Sequence, residues 1–561
     1  MAAQIKYEDK PWLAHYERGV PENIGYEQIT LPEYLENSAR RYPDRIAIIC
    51  EGFKVSYRRL NEMTNRLAAC LSSLGVGKGD RVAILLPNLI PCVVSYYATL
   101  KMGGIAVMCN PQHTDRELLF HFQDSAATAL ITLDLLADRM IALRPQTKLK
   151  QIIHTSFGDY LPLAGNLLFP LSAGRKGLTA RVRPAENVYR WKNLLSNYSA
   201  NHRRADVSMD DVAMIQYTGG TTGVARGVML THANLSFQIQ QIDAWFPQFA
   251  GKDEIILGAL PFFHSFGLTC SMNNAIFAGW THILIPDPRP EKLLTAIRKY
   301  RPTFAPLVPT MYIALLNHPN IRKTPITSIK GCFSGSAPLP LEVIKKFEGL
   351  TGAAISEGFG LTEAAPITHA NPFNGVRKVG SVGLPLPDTD CRIVDLAEGK
   401  TDVPVGQSGE LVIRGPQVMK GYWNSPQETA RTLNDGWLST GDIARMDEDG
   451  YFYIVDRKKD MVISGGHNVY PREIEEVLYS HPKIKEACAI GLPHPIRGEQ
   501  IKVFVVPAED QPFGAEELIE YCRTRLADYK LPTQFEFRKD LPKSDVGKIL
   551  RKVLREEELK K

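Results

Sequence analysis

The run Tyr-Thr-Gly-Gly-Thr-Thr-Gly-Val-Ala-Arg-Gly, residues 217–227, sets three threonines and four glycines just ahead of the apolar Val228-Met229-Leu230. Glycines let successive backbone N–H groups point at one anion, and threonine hydroxyls add donors, so the run reads as a phosphate cradle. It is not a Walker A loop, which needs G-x-x-x-x-G-K-[ST] opening directly into a helix. No Lys-Ser/Thr pair is present, and the run leads into a strand pattern before a helix that Thr231 would cap. A Gly/Thr run of this kind also suits a plain surface turn. The flanking sequence decides between the two.

Upstream, apolar β-branched runs alternate with helical patterns. Arg81-Val82-Ala83-Ile84-Leu85-Leu86 is followed by an amphipathic stretch to Met102 and then by Gly104-Ile105-Ala106-Val107-Met108. Over 561 residues, that alternation predicts layered α/β subdomains with largely buried strands and more than one core. Downstream, residues 255–286 contain no Asp, Glu, Lys or Arg. Pro261, His264, Asn273, Asn274, Gly279 and His282 interrupt this stretch, which predicts strand, loop, buried helix and strand within a core instead of a membrane span. Residues 402–450 change to short strands with Asn/Asp/Gly turns, expected as a small antiparallel, β-barrel-like subdomain. After Asp456 come a helix at 471–481, strands at 484–493 and 501–507, a helix at 516–529, a strand at 534–538 and a final basic helix, an α+β unit. The expected domains are 1–458, large, and 459–561, small and mobile.

A net charge of +5 is small for this length and argues against a nucleic-acid surface. Hydrophobic content of 44% with 23% charged residues fits a globular enzyme. Nine cysteines are scattered without a CxxC pair, as expected of buried free thiols in a reducing, cytoplasmic compartment. The first residues carry charges throughout and show no apolar core of a secretory signal. Residues 158–183 break the α/β rhythm, and Pro162 and Pro170 exclude a continuous helix. Two readings stand for this segment. It is a loop packed on its own domain, or Leu167, Leu168 and Phe169 dip into an anionic membrane surface beside Arg175, Lys176, Arg181 and Arg183.

Further runs follow in order: LPFFHSFG (260–267), SGSAPL (334–339), GFGLTE (358–363), DGWLSTGD (435–442), DRKKDMVISGGHNVYPREIE (456–475) and GKILRK (547–552). With the Gly/Thr run they resemble the adenylate-forming superfamily of acyl-CoA synthetases, luciferases and peptide-synthetase adenylation domains, over nearly the whole chain. Residues 435–460 are most similar to its long-chain fatty acyl-CoA synthetase branch.

The resemblance implies a site. Thr218, Gly219, Gly220, Thr221, Thr222 and Gly223 would cradle the β- and γ-phosphates of ATP, with Arg226 standing where the family usually has Lys, a planar fork in place of a point charge. Glu363 and Thr218 would hold Mg²⁺, which prefers oxygen ligands. Adenine would stack on Phe359, between Gly358, Thr362 and the backbone of Gly335, Ser336 and Ala337. Asp442 would accept the ribose hydroxyls with Arg457 nearby. Lys548 would be catalytic, spanning the α-phosphate and the attacking carboxylate, and His264 would gate the acyl entrance. Phe266, Cys270, Leu361 and Ala365, with Gly335, would line the acyl pocket. Gly465 and Gly466 would let a strand edge approach the pantetheine of coenzyme A, and Lys459 would be the hinge.

The expected reaction joins a medium- to long-chain fatty acid to coenzyme A at the expense of ATP, releasing AMP and pyrophosphate. The alternatives are an aryl- or other carboxylate-CoA ligase of the same superfamily and a nucleotide-binding relative without catalysis. A homodimer and a peripheral contact with the inner face of a membrane are compatible with this reading.

Overall fold

The computed structural model describes residues 5–162, 177–202, 204–218, 225–464, 467–495, 498–508, 513–544 and 547–561. Two largely parallel sheets and one antiparallel sheet build the large N-terminal domain, and a further sheet belongs to a separate C-terminal domain.

The first sheet has eight strands in the order Gly421–Tyr422, Arg226–Thr231, Val212–Thr218, Ile105–Met108, Arg81–Leu85, Ala129–Leu133, Gln151–Thr155 and Val188–Arg190. Val212–Thr218 and Arg226–Thr231 are antiparallel, with Thr218 opposite Arg226. Thr231 then caps helix His232–Trp245 by accepting from Asn234 N at 3.1 Å. The second sheet has nine strands, with Ala354–Gly360, Gly331–Ser334, Phe304–Leu307, Ile255–Gly258 and Thr281–Leu284 at its centre. Residues 255–286 follow the expected order, but the helix begins with a π-helical stretch, Phe266–Asn273, before Asn274–Ala278. No helix among the described residues is long and apolar enough to cross a membrane.

One expectation is corrected. The stretch before Met102 is helix Ile90–Lys101, buried on every side instead of amphipathic. Its only cation, Lys101, is buried yet paired with Glu36 at 3.1 Å and bonded to Asn61 at 2.5 Å and Asn65 at 2.7 Å. A paired charge removes the penalty that would otherwise turn that face to water.

The antiparallel sheet starts earlier than expected, at Asp390–Val394, and adds Gly409–Arg414, Trp437–Met446, Leu433–Asn434 and Phe452–Arg457. Asp395 nucleates its first turn by accepting backbone N–H groups from Ala397, Glu398, Gly399, Lys400 and Thr401. Its pairing among the described residues leaves the sheet open.

The C-terminal sheet orders His467–Val469, Val462–Ser464, Gly498–Pro507 and Ile484–His494, with Gln534–Phe537 beside Gly498–Pro507. Helices Pro471–Tyr479, Ala515–Arg523 and Arg551–Leu559 close two apolar cores separate from those of the large domain. All nine cysteines are buried and free. Leu167, Leu168, Phe169, Arg175 and Lys176 lie outside the described residues. Beyond them, Thr179 Oγ1 donates to Asp134 Oδ2 at 2.7 Å and Arg183 N to Asp138 Oδ1 at 2.9 Å, so residues 179–183 lie against their own domain.

Candidate active site

Gly331–Ser334 and Ala354–Gly360 run parallel, Ser334 opposite Glu357, and deliver their following loops to the same edge of the sheet. The carboxyl ends of parallel strands are where such sheets receive ligands. A cleft of about 830 Å³, its open mouth included, lies there. It gathers Gly335, Ser336, Gly358, Phe359, Leu361 and Thr362 from the strand ends, His264 and Phe266 from the loop 260–267, and Lys548 from the C-terminal domain. Gly358 is required by packing, because a Cβ there would lie 2.4 Å from the Phe333 ring.

The His264 loop is fixed from two directions. Asn88 Nδ2 donates to Leu260 O at 2.8 Å and Asn88 Oδ1 accepts from Phe262 N at 3.0 Å, while Gln216 Nε2 donates to Phe263 O at 2.6 Å. Ser265 and Thr362 hydroxyls meet at 3.2 Å across the cleft. Phe266 packs edge-on against Phe333, ring centres 5.6 Å apart. Cys270 and Ala365 are buried and not part of this lining, and Ala337 lies exposed beyond Ser336.

Asp442 and Arg457 are opposite each other on adjacent strands, and Arg457 Nε lies 2.8 Å from Asp442 Oδ1. Asp442 Oδ2 is buried with no hydrogen-bond partner among the described residues. Burial pushes the Asp442 carboxyl up to about 6, against the opposing pull of Arg457 and Lys548. Lys548 follows Gly547, whose φ of +75° favours glycine and whose added Cβ would lie 2.6 Å from the Thr310 side chain. The turn closes by Lys548 N donating to Ser544 Oγ at 3.2 Å and Ser544 N to Lys548 O at 2.8 Å. Lys548 keeps an open face to the cleft. Protein crowded around it nevertheless brings its ammonium down to about 8, Arg457 adding repulsion and Asp442 opposing both.

Beside the cleft, Glu363 belongs to the single turn Thr362–Ala364. Its carboxylate accepts from Tyr422 Oη at 2.9 Å and its carbonyl from Met419 N at 2.8 Å. Arg226 is paired with Glu428 at 2.9 Å, its guanidinium 5.5 Å from the Tyr422 ring centre. Tyr422 and Glu428 escaped the sequence reading. The available signal was the Gly-Tyr-Trp run at 421–423, which becomes an edge strand on Arg226–Thr231. Tyr217, one residue before Thr218, stacks on His121 at 4.2 Å and donates to Asp124 at 2.6 Å, anchoring the strand that leads to the Gly/Thr run. Gly219, Gly220, Thr221, Thr222 and Gly223, and Gly465 and Gly466, lie outside the described residues.

No group of three or more His, Cys, Asp or Glu able to hold a metal ion occurs among the described residues. A cation at Glu363 and Thr218 would therefore meet one carboxylate and one hydroxyl and draw its other oxygens from a ligand. That donor set fits Mg²⁺, which is commonly held by one or two carboxylates plus substrate phosphates. Lys459 lies in the turn just after Phe452–Arg457, where Lys458 N donates to Gly441 O at 2.9 Å and Asp460 N to Arg457 O at 3.0 Å.

A strand-end cleft completed by a lysine from a second domain is the arrangement of an adenylate-forming enzyme. The chain belongs to the AMP-binding enzyme family, whose pattern matches residues 35–423, while the AMP-binding enzyme C-terminal domain matches residues 473–548. It is 45% identical to a long-chain-fatty-acid–CoA ligase of Bacillus subtilis over 98% of both chains. Among solved structures it is similar to ATP-bound MatB from Rhodopseudomonas palustris, at 30% identity and a TM-score of 0.83, covering 95% of this chain and 99% of that one. Apo MatB, at the same 30% identity and the same coverage, gives a lower TM-score of 0.74.

Proposed function

We propose that this protein is an AMP-forming long-chain fatty acid–CoA ligase. The observation that carries the reading is the meeting of Lys548 with the strand-end loops of the large domain in one cleft, beside the buried Asp442. The near full-length identity to a long-chain-fatty-acid–CoA ligase supports the substrate class.

In the first half-reaction a carboxylate oxygen of the acid attacks the α-phosphorus of ATP. The bond from that phosphorus to the oxygen bridging to the β-phosphate breaks, and pyrophosphate leaves. The residues divide the work. The Gly/Thr run at 218–223 and Arg226 hold the β- and γ-phosphates, and Phe359 stacks on adenine between Gly358, Thr362 and the backbone of 335–337. Asp442 Oδ2 accepts from the ribose, with Arg457 holding the other carboxylate oxygen. Lys548 neutralises charge gathering on the α-phosphate and the incoming carboxylate, a preorganised contribution of the kind that dominates such sites. His264 lies where the acid enters, and Phe266, Gly335 and Leu361 receive the start of its chain. Mg²⁺ bound by Glu363 and Thr218 would offset phosphate charge.

In the second half-reaction the coenzyme A thiolate attacks the acyl carbonyl and AMP leaves. Gly465 and Gly466 flank the pantetheine, and the domains 1–458 and 459–561 reorient about Lys459 between the steps. A fatty acid partitions into bilayers, so peripheral membrane contact through residues 158–183 belongs to the same proposal.

The test is product analysis with a panel of acids. AMP and pyrophosphate are expected, with activity rising from hexanoate towards palmitate and exceeding that on benzoate, because each buried CH₂ contributes about 0.8 kcal/mol. ADP and phosphate would refute the mechanism, and a preference for benzoate would move the chain to the aryl branch.

A further inference from the structure

Glu363 sits in a one-turn helix, and a glutamate side chain there has three torsions to fix before both oxygens face one direction. The structure supplies the restraint from a distant segment. Tyr422 Oη donates to Glu363 Oε1 at 2.9 Å, and Met419 N holds the Glu363 carbonyl at 2.8 Å.

Tyr422 is itself braced on three sides. Its strand Gly421–Tyr422 pairs with Arg226–Thr231, Tyr422 opposite Val228. Its backbone N donates to Thr429 Oγ1 at 2.9 Å, and Gly421 packs so tightly on Thr429 that a Cβ would lie 2.7 Å from Thr429 Cγ2. The Arg226 guanidinium, held by Glu428 at 2.9 Å, lies 5.5 Å from the ring centre. Trp423 N also donates to Gly227 O at 2.7 Å, tying the same segment to the end of the Gly/Thr run.

We infer that Tyr422 is a positioning residue that aims the Glu363 carboxylate at a divalent cation accompanying ATP, with the Arg226–Glu428 pair fixing its ring. This rests on the reading of Glu363 as a ligand of that cation. A hydrogen bond to one carboxylate oxygen orients the group and leaves the other oxygen for the cation, as outer partners of metal ligands do elsewhere. Arg226 then has two duties, facing phosphate and bracing Tyr422, which a planar fork with five donors can serve and a lysine point charge cannot.

The test is equilibrium binding of Mn²⁺, as a spectroscopic stand-in for Mg²⁺, to the full chain with α,β-methylene ATP, read by electron paramagnetic resonance. Tyr422→Phe removes only the hydroxyl and is expected to raise the Mn²⁺ Kd by about 10-fold, the lower end for loss of an outer partner. Glu363→Gln should weaken binding further. The double variant should be no weaker than Glu363→Gln alone, since the hydroxyl acts through that carboxylate. Weakened binding in Glu363→Gln with unchanged binding in Tyr422→Phe overturns the inference and spares the ligand assignment. Additive losses in the double variant also overturn it. Unchanged binding in Glu363→Gln defeats the ligand assignment itself.

Discussion

The two halves of the cleft are built in different ways. The large-domain half is strand ends: Gly335, Gly358 and Phe359 leave parallel neighbours whose register is fixed by a nine-stranded sheet. The other half is one side chain, Lys548, on a turn whose only route into the cleft is the docking of a domain with its own separate cores. Polar contacts help to seat that domain. Arg472 N donates to Asp456 Oδ2 at 2.8 Å and Arg472 Nη1 to Ile454 O at 2.9 Å, and Arg551 lies 3.6 Å from Asp456. Polar interfaces between domains are the kind that part and re-form, whereas a strand end cannot move without its sheet. The contrast predicts that damage to the fixed half harms binding and chemistry together, and that damage to the docked half separates the two reaction steps.

The largest expected effect is in Lys548→Ala. Loss of one preorganised charge costs about 100- to 1,000-fold in rate, and that loss should fall on adenylation, with thioester formation from supplied acyl-adenylate surviving. Single-turnover measurement of each half-reaction checks it, and equal loss in both would erase the distinction between the halves. Next comes Lys459→Pro, which fixes φ and removes a backbone donor at the junction. Adenylation should persist while transfer to coenzyme A drops. Parent rates in both steps would place the pivot elsewhere.

A smaller, graded effect is expected from pH. Lys548 must be charged, and its ammonium titrates at about 8 among Arg457, Asp442, Asp460 and Arg551, so adenylation should decline as pH rises through that value. Asp442 must be ionised, and its carboxyl, facing Arg457, Lys548, Glu363 and Asp456, titrates at about 6, so activity should also decline as pH falls through 6. A bell between those limits is the prediction. In Lys548→Arg, whose side chain stays charged above pH 12, the alkaline limb of whatever activity remains should vanish. The smallest effect is in Gly547→Ala, where a Cβ on a left-handed residue costs about 1–2 kcal/mol and meets Thr310. Its adenylation should weaken modestly with the large domain's melting unchanged.

Much of this was legible because turns advertise themselves. Glu363, Asp442 and Lys548 sit in short runs punctuated by glycine, and Gly547 does take the positive φ that makes such a run readable. What sequence hides is partnership across distance. Tyr422 meets Glu363 across 59 positions, through an edge strand only two residues long that no periodicity reveals. The helix Ile90–Lys101 defeated its pattern because Lys101 satisfies its charge inside the core. Cys270, expected in the acyl pocket, is buried in the π-helical stretch Phe266–Asn273, outside the lining of the described cleft.

A fixed half completed by a docked one requires a distance between the domains that changes from step to step. All nine native cysteines are buried, so spin labels introduced by Lys346→Cys and Glu556→Cys, on exposed helix positions of the large and C-terminal domains, report only the domain arrangement. Pulsed dipolar spectroscopy with α,β-methylene ATP should give the separation of this structure, and an acyl-adenylate analogue with coenzyme A should give a second, distinct separation. One unchanged distance in both conditions would contradict it.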